Sequence, residues 1–123
     1  MRFSIVIAAA GLALAAAFAG AEEGRPLKTF TLDIESGLAP VGQRAIRVAK
    51  KDRLRFRITS DVAGEVHLHG YELEVKVVPG KTASLDVTVN ATGRFPLYWH
   101  PADAPAATGH SAAPLATIEV RPR

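Results

Sequence analysis

Cysteine is absent from all 123 residues, and the only methionine is Met1. Without cysteine there is no disulfide, no thiolate nucleophile and no thiolate metal ligand. Stability must come from packing alone. A surplus of one charge is missing too: 15 basic residues stand against 12 acidic ones. Removing Arg2 with a leader would leave 14 against 12, too slight an excess to argue for a nucleic-acid partner. Helical periodicity is also missing beyond the first twenty or so residues.

The N-terminus reads as a secretory signal. Arg2 is followed by an apolar run from Ile5 to Ala19, and Ala17, Ala19 and Ala21 offer two A-x-A cleavage choices before Glu22-Glu23. The run is short for a membrane-spanning helix and ends in small residues. Residues 1–21 are therefore expected to be a signal peptide cleaved near Ala19 or Ala21, and residues 22–123 a single exported domain, periplasmic or secreted. With no cysteine after the run, no lipid anchor is expected.

Apolar and polar residues alternate through the remainder, the mark of half-buried strands. The segments are Lys28 to Ile34, Gln43 to Val48, Arg53 to Thr59, Val66 to Gly70, Glu72 to Val78, Thr82 to Val89, Arg94 to His100 and Leu115 to Val120. Turn signals such as Lys50-Lys51-Asp52 and Pro79-Gly80 separate them. Seven or eight short strands at this spacing predict an all-β fold, a Greek-key antiparallel β-sandwich. Leu54, Phe56 and Ile58 face inward, which leaves Arg53, Arg55 and Arg57 as an outward basic stripe. Such a stripe is first of all a solvated, aggregation-resistant face.

Four histidines carry the chemistry. His67 and His69 lie two apart, so in an extended chain both rings leave one face with backbones roughly 6–7 Å apart. His100 closes a strand, and His110 sits in the Ala-, Pro- and Gly-rich loop from Pro101 to Pro114. Imidazole is the commonest protein ligand for borderline ions such as Cu(II) and Zn(II). Surface histidines are also common, so a metal site and solvated rings both stay open at this level. A nucleophilic Ser60 or Ser111 would need a base and an orienting acid, and Asp103 does lie in the same loop as His110, but no Gly-x-Ser-x-Gly occurs; no enzyme is expected.

Thr59-Ser60-Asp61, then the run from Glu65 to Leu73 with its His-x-His-Gly-Tyr, then Val78-Pro79-Gly80-Lys81, Thr92-Gly93-Arg94-Phe95 and the closing Leu115 to Val120 resemble exported cupredoxin-like domains. The resemblance covers Thr29 to Val120. It implies a histidine ligand at His67 or His69, a second at His110, and an extra imidazole, His100, beside the position where electron carriers of the family have cysteine. That position falls on Trp99, and the usual methionine position falls near Pro114. A blue-copper site is thereby excluded. What the resemblance implies instead is copper, as a type-2-like Cu(II) ion, or else zinc, held by His67, His69, His100 and His110 for metal handling. The other reading is a metal-free domain that docks a membrane or periplasmic protein through the basic stripe or the loop around Ala102 to Ala107. His-x-His-Gly is also similar to multicopper oxidases, but a chain this short lacks their further domains.

Overall fold

The computed structural model describes residues 25–104 and 113–123. The expected signal peptide and His110 lie outside the described residues.

Among the described residues, eight strands carry the fold: β1 (Leu27–Ile34), β2 (Ala45–Ala49), β3 (Arg53–Ser60), β4 (Gly64–Leu68), β5 (Leu73–Val77), β6 (Ala83–Thr88), β7 (Gly93–Pro101) and β8 (Ala116–Arg121). A single 3-10 turn, Val41–Gln43, leads into β2. Strands β1-β3-β6 form one sheet and β2-β8-β7-β4-β5 the other. The expected sandwich of seven or eight strands is present, with eight.

Two of the ladders between these strands are parallel, β1 with β3 and β2 with β8. The cause is the path of the chain. After β1 it crosses to the other sheet for β2 and returns for β3, and a crossover delivers a parallel neighbour where a hairpin would deliver an antiparallel one. Alternation within a strand carries no information about that path.

Both sheets turn one face inward. Leu32, Ile34, Leu54, Phe56 and Ile58 meet Val66, Leu68, Val77, Leu97 and Ile118, all at 0–1% exposure. Each such side chain contributes about 1.5–3 kcal/mol on leaving water. The inward row of β3 is the expected one, and Arg53, Arg55 and Arg57 point out. Arg55 donates two bonds to Asp86 on β6, both 2.8 Å long.

One buried charge ties the two sheets together. Asp52 lies in the turn between β2 and β3 and is 3% exposed. It accepts from Lys28 of β1 at 2.7 Å, from the Ala49 N–H at 2.9 Å and from Arg123, just past β8, at 2.5 Å. Burial raises its pKa, but the Lys28 hydrogen bond, the Ala49 N–H and the charges of Lys28 and Arg123 outweigh it, so the carboxyl sits below its usual range.

Candidate metal centre

The pleat of β4 sends Val66 and Leu68 into the core, and so turns Glu65 and His67 to the outer face of the five-stranded sheet. Register then chooses their neighbours. Tyr98 of β7 lies opposite His67, and His100 lies opposite Glu65. On the other side, Glu74 of β5 lies opposite His67 and Lys76 opposite Glu65. His69 opens the turn after β4, and its N–H donates to the Pro96 carbonyl at 3.0 Å, so β7 still guides the chain there.

Two separate stretches of sequence thus bring three imidazoles together. The His67 ring centroid is 6.2 Å from that of His69 and 6.1 Å from that of His100. Tyr98 joins them, 6.3 Å from His69 and nearly perpendicular to it. The rings form a row with His67 in the middle. His100 is level with Glu65, four residues from His69 along the strand, or about 13 Å of backbone. Two imidazoles sharing an ion have centroids roughly 5–6 Å apart; each neighbouring pair, at 6.2 and 6.1 Å, stands just beyond that range. In this arrangement, no three His, Asp or Glu side chains among the described residues enclose an ion-sized point.

His67 is only 9% exposed although it points away from the core. The well-exposed Glu72 carboxylate comes near it, with Oε2 3.5 Å from His67 Nε2. Glu65 adds to the acidity of the patch. Its carboxyl is held above the usual range, first by a hydrogen bond with the Glu74 carboxyl, then by burial and the Glu74 charge, with Lys76 and His100 pulling the other way. Three carboxylates around one lysine give the row a field that favours a cation.

Trp99 and His100 are chain neighbours on opposite faces. The indole packs against the core and covers Gly64, where any side chain would collide with it. It also lies over Gly37, whose φ is +78°. The indole N–H and the Tyr71 hydroxyl are buried with no hydrogen-bond partner among the described residues. The position that the resemblance gives to cysteine therefore lies inside the sandwich, filled by an indole, while the histidine row occupies the outer face. The β4–β5 turn is held down beside the row: Gly70, at φ +94°, leaves no room for a Cβ against Phe95, and Tyr71 meets the same ring edge-on at 4.9 Å.

Glu65 and Glu72 lie close enough in sequence to the histidines to be candidates from the outset. Glu74 is seven residues from His67, and only the hairpin pairing sets it opposite.

No protein-family model matches the sequence, and no curated protein matches it. Solved structures do match in fold. One is a heme-copper terminal oxidase dimer: TM-score 0.58, 20% identity, 76% of this chain and 65% of that one, so the chain spans less than two thirds of its length. Another is a copper-binding protein in its apo form: TM-score 0.57, 10% identity, 77% of this chain and 88% of that one. A third is the periplasmic domain of subunit II of cytochrome oxidase (CoxB) of Bradyrhizobium japonicum: TM-score 0.55, 14% identity, 77% and 84%.

Proposed function

The chain has the cupredoxin-like fold, and on that premise we propose that it is an exported metal-handling domain that binds one Cu(II) ion, with Zn(II) as the next choice, through His67, His69, His100 and His110. One observation supports this above the rest: an outward-facing histidine, buried to 9% exposure, with an imidazole on either side at 6.2 and 6.1 Å. Outward strand positions are ordinarily solvated. A buried imidazole among carboxylates is what a cation site needs before the cation arrives.

The residues divide the work. His67 is the fixed ligand, seated in a strand between two paired neighbours. His69 in the turn and His100 on β7 would supply further imidazoles, and His110, outside the described residues, would be the fourth ligand. Tyr98, beside His69, restricts that ring's orientation. A bound ion would supply charge and an exchangeable coordination position, and with no sulfur donor it would lack the thiolate path of rapid electron carriers. The function is thus holding and passing on an ion, in the periplasm or as a secreted protein.

Isothermal titration of the purified protein with Cu(II) tests the reading. The expected result is one site of micromolar affinity or tighter; binding no tighter than millimolar would end it. A second reading, a metal-free docking domain, is favoured by Leu38 and Val41, 59% and 77% exposed on the β1–β2 loop. It predicts that a variant with all four histidines changed to Ala still captures a membrane or periplasmic partner.

A further inference from the structure

Charge is unevenly spread along the strands. Three chain segments meet at one end of the sandwich: residues 25–28, which lead into β1, the turn 50–53 between β2 and β3, and residues 121–123 at the close of β8. Arg25 Nη1 and Arg123 Nε both donate to the Lys50 carbonyl, at 3.1 and 3.3 Å, and the Lys50 N–H donates to the Arg121 carbonyl at 2.8 Å. These segments hold seven of the 15 lysines and arginines. Five of the seven are exposed: Lys28, Lys50, Lys51, Arg121 and Arg123. The one acidic residue in the three segments is Asp52, buried in its clamp between Lys28 and Arg123. Two more carboxylates border the patch, each with an arginine partner: Glu119, 3.1 Å from Arg121, and Asp86, 2.8 Å from Arg55. In the rest of the sequence the balance is reversed, with eleven acidic residues against eight basic ones.

The opposite end differs in kind. β1 and β3 finish side by side at Ile34 and Ser60, and Val77 at the end of β5 pairs with Gly64. Beyond them lie Glu35, Asp61 and the exposed apolar side chains Leu38, Val41, Val62 and Val78. The molecule is therefore polarised along its strands, and a negatively charged surface draws the basic end toward itself. Among the described residues, no exposed large apolar side chain lies at the basic end. The core of a protein–protein interface is depleted of charge and rich in apolar anchors. A patch of cations without such anchors suits the diffuse negative charge of lipid headgroups. The direction of the chain agrees. Arg25 is six residues on from Ala19, where the apolar run of the expected leader ends, a reach of at most about 20 Å. A leader still in the bilayer would hold this end of the domain beside the headgroups.

We propose that the basic end is a docking surface for anionic phospholipid headgroups, on which the domain stands with its strands running away from the membrane. Lysine ammonium groups meet the phosphodiesters as point charges and arginines as two-pronged donors. The attachment is reversible and is weakened by salt. His100, level with Glu65 toward the opposite end, then stays on the aqueous side, as do Leu38, Val41 and Val62. The proposal does not depend on the metal site; it takes from the functional reading only that the domain is exported.

The test is flotation with vesicles of the protein lacking residues 1–21. Every strand lies beyond residue 26, so this form keeps the whole sandwich. Vesicles of phosphatidylcholine alone are compared with vesicles containing about one third phosphatidylglycerol, in about 0.05 M and about 0.5 M salt. Binding is expected to the anionic vesicles only, and to be lost at the higher salt. Lys50→Gln with Lys51→Gln is expected to weaken it about 25-fold at low salt, about fivefold for each lysine. Arg55→Gln with Arg57→Gln removes equal charge from the outer face of the three-stranded sheet and is expected to change binding by less than about threefold, because distant charges are screened. Lys51→Gly alone is expected to weaken binding about fivefold with a melting temperature no lower than the parent's, because Lys51 holds φ +74° and glycine relieves it. Equal binding to neutral vesicles, or equal losses from the two double variants, would overturn the proposal. So would the absence of binding to anionic vesicles at low salt, which would leave the basic end to an acidic protein surface instead.

Discussion

The two sheets each have an outer face, and the two faces obey different rules. On the three-stranded sheet, Arg53, Arg55 and Arg57 stand among Thr29, Thr31, Ser84 and Asp86, and the best-made contact is the Arg55–Asp86 fork, open to water on both sides. On the five-stranded sheet the same alternation places His67 outward, yet His67 is buried. Its neighbours are other rings and carboxylates. A charge pair in water contributes little and is screened by salt. A buried imidazole is a committed group whose desolvation has to be offset by what it binds or touches. The difference separates a charged face left in water from one on which an imidazole has been taken out of it.

The sharpest way to break that contrast is to remove one outward residue from each face. His67→Ala is expected to abolish the Cu(II) site, a loss of about 100-fold or more, with the fold intact by circular dichroism. Arg55→Ala is expected to leave both Cu(II) affinity and melting temperature within error. If Arg55→Ala weakened the site as much as His67→Ala, the two faces would not be functionally distinct.

A second substitution asks whether stability and ligand binding are separable. Asp52 joins β1 to the segment after β8 and lies on neither outer face. Asp52→Ala leaves Lys28 and Arg123 without their buried partner and is expected to cost about 2–3 kcal/mol in urea unfolding, with Cu(II) affinity unchanged. The pH dependence has a definite sign. The folded carboxyl has the lower pKa, so its stabilisation is complete above the unfolded value of about 3.9 and is lost as pH falls below it through the folded value. Asp52→Asn is expected to flatten that acid limb. An acid limb identical to the parent's would mean that other carboxyls dominate it.

Residue pattern exposes some of this and hides the rest, for physical reasons. The inward row Leu54, Phe56 and Ile58 is legible because period-two alternation is a property of the strand itself. The outward direction of His67 follows from Val66 and Leu68 in the same way. β4 begins at Gly64, two residues before its expected start, because a glycine adds nothing to the apolar pattern. Parallel pairing of β1 with β3 is not legible, since it depends on how the chain crosses between sheets. The approach of His100 to His67 depends on the β4–β7 register, and no spacing between residues 67 and 100 encodes it. The indole of Trp99 shows both sides of this. Alternation places it inward with Phe95 and Leu97, but only the folded chain sets it over Gly64 and Gly37.

The smallest expected effect lies inside the acidic half of the five-stranded sheet's outer face. Glu65 and Glu74 share a hydrogen bond, which raises the Glu65 carboxyl above its usual range. Here the sign is opposite to that of Asp52. A raised folded pKa means the contribution to stability is fully present below the ordinary carboxylate value and is lost as pH rises through the raised one. The metal-free protein should therefore give up a little stability on going from about pH 4 toward neutrality. Glu65→Gln removes the like-charge contact, so it is expected to be more stable than the parent at pH 7 by less than about 1 kcal/mol, and no more stable at pH 4. If urea unfolding at the two pH values shows the same difference between variant and parent, the carboxyl pair carries no strain. The histidine row would then owe its cation-attracting field to Glu72 and to ordinary, independent carboxylates.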